Sequence, residues 1–267
     1  MRPIARFLTV LALLSICPAS PAMADFKKGM SAYEAGDYAT ALKEWRPLAE
    51  KGNTDAQYGL GLIYDSGKGV PQNNAEAVRW YRMAAEQGLA SAQSNLGVLY
   101  ARGEGVKQDY AEAARWYRRA AEQEYAMAQF NLGVLYEKGQ GLKQSHAEAV
   151  RWYRRAAEQG DADAQLNLGL LYAKGQGVPQ SYVKAIRWYR MAAEQGDADA
   201  QSGLGLLYAK GQQGVPQDLV QAHLWLGLAA AQGDKSAAKE RDLLVKKMTP
   251  AQLTQAQKLA SEWKPKK

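Results

Sequence analysis

Two Ser-x-x-Lys spacings, Ser181/Lys184 and Ser236/Lys239, come nearest to a catalytic signature in this 267-residue chain. A lysine one helical turn from a serine can take the hydroxyl proton and leave an oxygen able to attack an acyl carbon. The Ser-Asp-Asn and Lys-Thr-Gly motifs that complete such a centre are missing from the sequence. Ser181 also has a competing structural job, because it stands where a helix N-cap belongs. The two histidines, His146 and His223, lie far apart without metal-ligand spacing. Gly-x-Gly turns invite a phosphate-loop reading, but they recur throughout the chain without a preceding strand, so turn geometry explains them. The chain is therefore expected not to be an enzyme, with no catalytic residue, no metal and no cofactor.

The N-terminus carries a different signal. Arg2 and Arg6 flank the start of an apolar run from Phe7 to Cys17, which Pro18 and Pro21 interrupt before Ala22-Met23-Ala24. A positive segment, an apolar segment and a small-x-small site form a secretory leader, here residues 1–24 with cleavage after Ala24. A lipid-attachment signal wants a small residue before its cysteine, and Ile16 occupies that place. Ordinary cleavage removes Cys17, the one cysteine, so no disulfide or thiol chemistry is expected in the mature protein. The expected location is the periplasm or the medium of a Gram-negative-like bacterium. Cleavage takes two arginines from the formal charge of +7 and leaves a basic protein. Such a protein favours anionic envelope surfaces; nucleic acid is not expected as a partner. No stretch beyond the leader approaches the about 18 apolar residues of a membrane span.

The elements that must position any site are set by an internal repeat. The pair Ala-Gln begins at Ala56, Ala92, Ala128, Ala164 and Ala200, a period of 36, and the next register begins at Ala237 after one extra residue at Gln212-Gln213. Each unit runs through Leu-Gly-x-x-Tyr (Leu60, Gly61, Tyr64), Gly-x-Gly-Val (Gly67 to Val70), Ala-x-x-Trp-Tyr (Ala77, Trp80, Tyr81), Ala84-Ala85 and Gln87-Gly88. Ala56, Leu60, Ile63 and Tyr64 share one helical face, and Ala77, Trp80, Tyr81, Ala84 and Ala85 share another. Asn73 with Glu76, Asp109 with Glu112, Ser145 with Glu148 and Asp218 with Gln221 read as capping boxes; Ser181 with Lys184 keeps the cap and loses the acid. Glycine in mid-helix costs about 1 kcal/mol against alanine. Its return at Gly97, Gly133, Gly169 and Gly205 implies close approach of a neighbour. Glu124 replaces the glycine that ends the other second helices, and a non-glycine there costs about 1 kcal/mol if the position must be left-handed.

These motifs at this period resemble the Sel-1-like repeat, a relative of the tetratricopeptide repeats with a longer inter-helix loop. The resemblance implies an all-α, right-handed α/α solenoid of stacked helix pairs. Five units cover 56–91, 92–127, 128–163, 164–199 and 200–236. Residues 25–55 resemble a shorter tetratricopeptide-type helix pair, with Pro47 inside its second helix, and 237–267 are expected to form capping helices, at 238–247 and 250–263, with a short, disordered basic tail.

The resemblance also implies a function, that of an adaptor holding a protein or peptide partner on its concave face, and it implies which positions line that face. They include Met30, Tyr33, Tyr58, Ser94, Asn95, Phe130, Asn131, Leu166, Asn167 and Ser202. One register holds Tyr58, Ser94, Phe130, Leu166 and Ser202 in turn, and variation at one site of a uniform array marks a tailored surface. Two other readings stand beside it. The second helices carry Arg79, Arg82, Arg115, Arg118, Arg119, Arg151, Arg154, Arg155, Arg187 and Arg190, a convex stripe for an anionic cell-wall polymer such as peptidoglycan. Some relatives of the repeat family are linked to β-lactam binding, which would use Ser181 as a hydrolase nucleophile. The protein is expected to act as a monomer.

Overall fold

The structure, a computed structural model, describes residues 21–266. The positive segment, the apolar run and Cys17 of the expected leader lie outside the described residues. The described chain is all-helical, with one isolated bridge between Gln212 and Val215. That bridge sits at the one-residue insertion: Gln212 and Val215 exchange both backbone hydrogen bonds, so the extra residue is absorbed in a tight turn.

The chain divides after Gly88 into two units. The first contains α1 (Pro21–Glu34), α2 (Tyr38–Glu50), α3 (Thr54–Ser66) and α4 (Asn74–Glu86). The second contains α5 (Ala90–Arg102), α6 (Tyr110–Glu122), α7 (Ala126–Lys138), α8 (His146–Glu158), α9 (Ala162–Lys174), α10 (Tyr182–Glu194), α11 (Ala198–Lys210), α12 (Leu219–Ala231), α13 (Lys235–Val245) and α14 (Pro250–Glu262). Within each unit successive helices pack as stacked α/α pairs.

Local chemistry sets the helix ends. Asn53, Asn73, Asp109, Ser145, Asp161, Ser181, Asp197 and Asp218 each accept an amide hydrogen bond in the first turn of the following helix. The reciprocal half of the expected capping boxes is a different matter. Glu76, Glu112 and Glu148 turn forward to Arg79, Arg115 and Arg151, one turn along, rather than back to the cap. Gln221 accepts from the Trp225 indole N–H. The complete box forms at Thr249 and Gln252, opening α14. Asp234, absent from the sequence reading, caps α13 and starts it at Lys235, three residues before the expected 238. Pro47 lies exposed in the last turn of α2, and the helix runs on to Glu50.

The repeated mid-helix glycine has a specific counterpart. A Cβ on Gly133 would lie 2.6 Å from the Tyr153 ring, and Gly97 and Gly169 stand in the same way against Tyr117 and Tyr189. The close neighbour is thus the tyrosine of Trp-Tyr, whose ring occupies the space a Cβ would need. In the last repeat Leu226 takes that place over Gly205. In the first unit Trp45 meets Gly29 and Gly59, and its indole N–H donates to the Phe26 carbonyl at 3.2 Å.

Beyond α14 the chain is held, not disordered as expected. Trp263 meets the Trp225 ring edge-on at 6.4 Å. The Lys266 amide donates to the Glu194 carbonyl at 2.7 Å, and its ammonium pairs with the Glu194 carboxylate.

Gly133→Ala brings a methyl into the Tyr153 ring. Urea unfolding should show a loss of about 1–3 kcal/mol from overpacking, although alanine is the better helix former by about 1 kcal/mol.

Candidate partner-binding site

The expected partner-facing residues fall into two groups. Tyr58 is 3% exposed and its ring packs on Tyr81 at 5.7 Å, and Ser94 is fully buried in α5. Neither presents a surface to a partner. The rest are half-buried. Met30 and Tyr33 lie on α1, where the Tyr33 ring contacts Trp45 and Tyr38 and sits under the Lys68 ammonium. Burial raises the Tyr33 phenol above its ordinary pKa.

In the second unit Asn95, Phe130, Asn131, Leu166, Asn167 and Ser202 lie on α5, α7, α9 and α11. Phe130 rests on Tyr153 at 5.7 Å, and Leu166 packs against the core cluster around Leu168 and Tyr189. Asn167 donates back to the Asp163 carbonyl on its own helix at 3.0 Å, and the Ser202 hydroxyl bonds to Asp234. Phe130, Leu166 and Asn131 remain partly exposed along the row.

Beneath that row runs a set of bonds that the periodicity did not reveal. The glutamine of each Ala-Gln pair is buried: Gln57, Gln93, Gln129, Gln165 and Gln201 are 0–4% exposed. Gln57, Gln129, Gln165 and Gln201 donate to Ala49, Ala121, Ala157 and Ala193, carbonyls at the end of the preceding second helix. Each side-chain oxygen accepts from the glutamine closing its own repeat's second helix, as in Gln159 to Gln129 at 2.7 Å and Gln195 to Gln165 at 2.9 Å. The sequence signal was two glutamines 30 apart in the first four units and 31 apart in the fifth, which holds the inserted residue. A second link joins neighbouring repeats on the outer side. Arg46, Arg118, Arg154 and Arg190 donate to the phenols of Tyr64, Tyr136, Tyr172 and Tyr208, each 18 residues on.

Comparison with known proteins decides what this arrangement is. The Sel1 repeat model matches residues 54–89, 90–125, 126–161, 162–197 and 198–234. The chain belongs to the Sel1 repeat family. Each match opens at the start of a first helix, two residues before the expected register. A Sel1 repeat protein from Oxalobacter formigenes is similar at 41% identity and a TM-score of 0.75, over 80% of this chain and 88% of that one. A protective antigen present in uropathogenic Escherichia coli strains, displaying an SLR fold, is similar at 33% identity and a TM-score of 0.62, over 91% of this chain and 60% of that one. An exopolysaccharide production negative regulator of Rhizobium meliloti (strain 1021) is 42% identical over 52 residues, 20% of this chain. The match spans about a fifth of that curated relative's length (19%).

In these Sel1 repeats the arginines of the second helices are largely engaged within the chain. One set bonds tyrosines, as above. Arg79, Arg115 and Arg151 pair with the glutamates one turn before them. Arg79, Arg119, Arg151 and Arg155 also cover tryptophan rings at 4.5–5.4 Å. Such exposed pairs contribute little stability, about 0–1 kcal/mol each. Ser181 Oγ accepts the Lys184 amide as a helix cap, and the Lys184 ammonium lies over the Tyr172 ring. His223 is buried, and that burial, reinforced by Arg241, lowers its pKa and favours the neutral ring. Among the described residues no group of three His, Cys, Asp or Glu could hold a metal ion, and no helix is long and apolar enough to cross a membrane.

Glu124 is the one non-glycine with positive φ among the described residues, at 60°. Its carboxylate accepts from Gln129 and pairs with Arg155, so side-chain bonds offset the backbone cost. The Gln129 bond holds its carboxyl below the usual carboxylate range, with Arg155 adding to the effect.

Burial raises the Tyr117 and Tyr153 phenols, and lifts Tyr189 to about 12 from an ordinary 10.0. A folded-state pKa above the unfolded one gives stability that is whole below the unfolded value and lost as pH rises. The melting temperature should therefore fall as pH climbs from about 10 through about 12. Circular-dichroism melts should show the fall, with a shallower slope in Tyr189→Phe.

Proposed function

We propose that this Sel1 repeat protein is an exported adaptor of the bacterial cell envelope that holds a protein or peptide partner against its first helices. One observation carries the reading. Phe130, Leu166 and Ser202 occupy the same register of near-identical repeats, half-buried, while the glutamine, glycine-tyrosine and arginine-tyrosine contacts around them repeat. Stacking needs uniformity, and a partner needs local difference. Phe130 and Leu166 supply apolar area, and Asn131 supplies an amide for a partner's backbone. The leader-like N-terminus supports export, and a partner met there is a polypeptide of the periplasm or medium. Two similar proteins, a protective antigen of uropathogenic Escherichia coli strains and a negative regulator of exopolysaccharide production, are compatible with an envelope setting for this chain.

A photo-crosslinking residue placed at Asn131 in cells of the native host tests this. Polypeptide adducts should form there and not from the same residue placed at Lys143. Phe130→Ser with Leu166→Ser, a residue the repeat itself uses at Ser202, should cut adduct yield about tenfold while the fold persists. Adducts unchanged by that double substitution would contradict the reading. The periplasmic fraction should contain a chain beginning at Asp25.

A further inference from the structure

The repeat pattern reverses the sign of one recurring charge at one place, Lys184. Glu76, Glu112 and Glu148 pair with the arginine one turn on, and the fourth unit of that series has Lys184 in their position. Lys184 and Arg187 face the same cleft, and among the described residues Arg187 makes no ion pair; its guanidinium lies 5.7 Å from the Trp188 ring. The cleft has a volume of about 420 Å³ between α8, α9 and α10. Arg154 brings a third cation from α8, with one N–H committed to the Tyr172 phenol at 2.8 Å. Lys184 hangs over the Tyr172 ring at 5.3 Å. Glu158 is the one acid on the wall, and Met191 with the edge of Trp188 forms an apolar side.

We infer that this cleft takes an acidic side chain of a partner polypeptide, the carboxylate lying between Lys184, Arg187 and Arg154 and an apolar neighbour resting on Met191 and Trp188. Three cations against one carboxylate leave an unsatisfied positive field, and guanidinium and carboxylate match in geometry. Glu158 suits a peptide, since it can accept a partner's backbone N–H. The register before it argues against a polymer track. There Glu148 pairs with Arg151 and Glu124 with Arg155, so the group of unpaired cations does not continue along the line. The site is separate from the first-helix row, so either can stand without the other.

The test is fluorescence anisotropy of a rhodamine-labelled hexaglutamate peptide with the full mature chain at low salt. Saturable binding is expected, weakening as ionic strength rises. Lys184→Glu restores the sister-repeat ion pair with Arg187, so it should fold at least as well as the parent and bind at least about fivefold more weakly. Arg187→Gln should weaken binding in the same direction and serves if the first variant misfolds. Lys107→Glu, an equal charge change in a distant loop, and Phe130→Ser with Leu166→Ser should leave binding within about twofold. The proposal is overturned by absence of saturable binding, by parental affinity in Lys184→Glu and Arg187→Gln, or by equal loss in Lys107→Glu. Displacement by alginate at a lower concentration of carboxylate than free hexaglutamate requires would also overturn it, in favour of a polysaccharide.

Discussion

One buried amide per repeat holds this architecture in register. The carbonyls at the end of a helix lack intrahelical partners, and stacking a new helix pair over that end would bury them. Gln57, Gln129, Gln165 and Gln201 answer this by donating to the penultimate alanine carbonyls of the helix before. Each buried glutamine then has an oxygen to satisfy, and the glutamine closing its own second helix donates to it. A bond of this kind contributes about 1 kcal/mol, whereas an orphaned buried group costs about 1–3 kcal/mol. The interaction therefore discriminates against slipped stacking more than it adds to total stability.

The other repeated contacts follow from that register. Once the alanine faces meet, the tyrosine of Trp-Tyr has nowhere to go but across the facing helix, and glycine is the residue that admits it. Arginines on the outer side reach the next repeat's phenol at a constant offset. Glu124 shows that the scheme tolerates a local exception when the side chain finds partners, here Gln129 of the ladder itself and Arg155.

Helix positions, caps and the helix-pair architecture were legible because they depend on local signals: Asn73, Asp109 and Ser145 announce helix starts, and Gly67, Gly103 and Gly139 end the first helices in left-handed conformation. What the sequence did not convey is which way a side chain turns when two partners compete for it. Glu112 reads equally as half a capping box or as the partner of Arg115, and the ion pair won. Tyr58 and Phe130 share a register, yet one is buried and the other half-buried. The glutamines were visible as period markers and their role was not, since a polar residue on an apolar face declares its partner only in three dimensions. The tail was misjudged for a similar reason, as Lys266 meets Glu194 across 72 positions of sequence.

With the scaffold's contacts assigned, the residues left over are those that depart from the repeat: Phe130 and Leu166 on the first helices, and Lys184 with Arg187 on the second. That division holds only if the glutamine ladder, rather than general apolar burial, fixes the stack. Urea unfolding of Gln165→Leu tests this directly. The substitution roughly keeps side-chain size and adds apolar surface while removing the bonds to Ala157 and Gln195. A loss of about 1–3 kcal/mol is predicted; unchanged or increased stability would contradict the account.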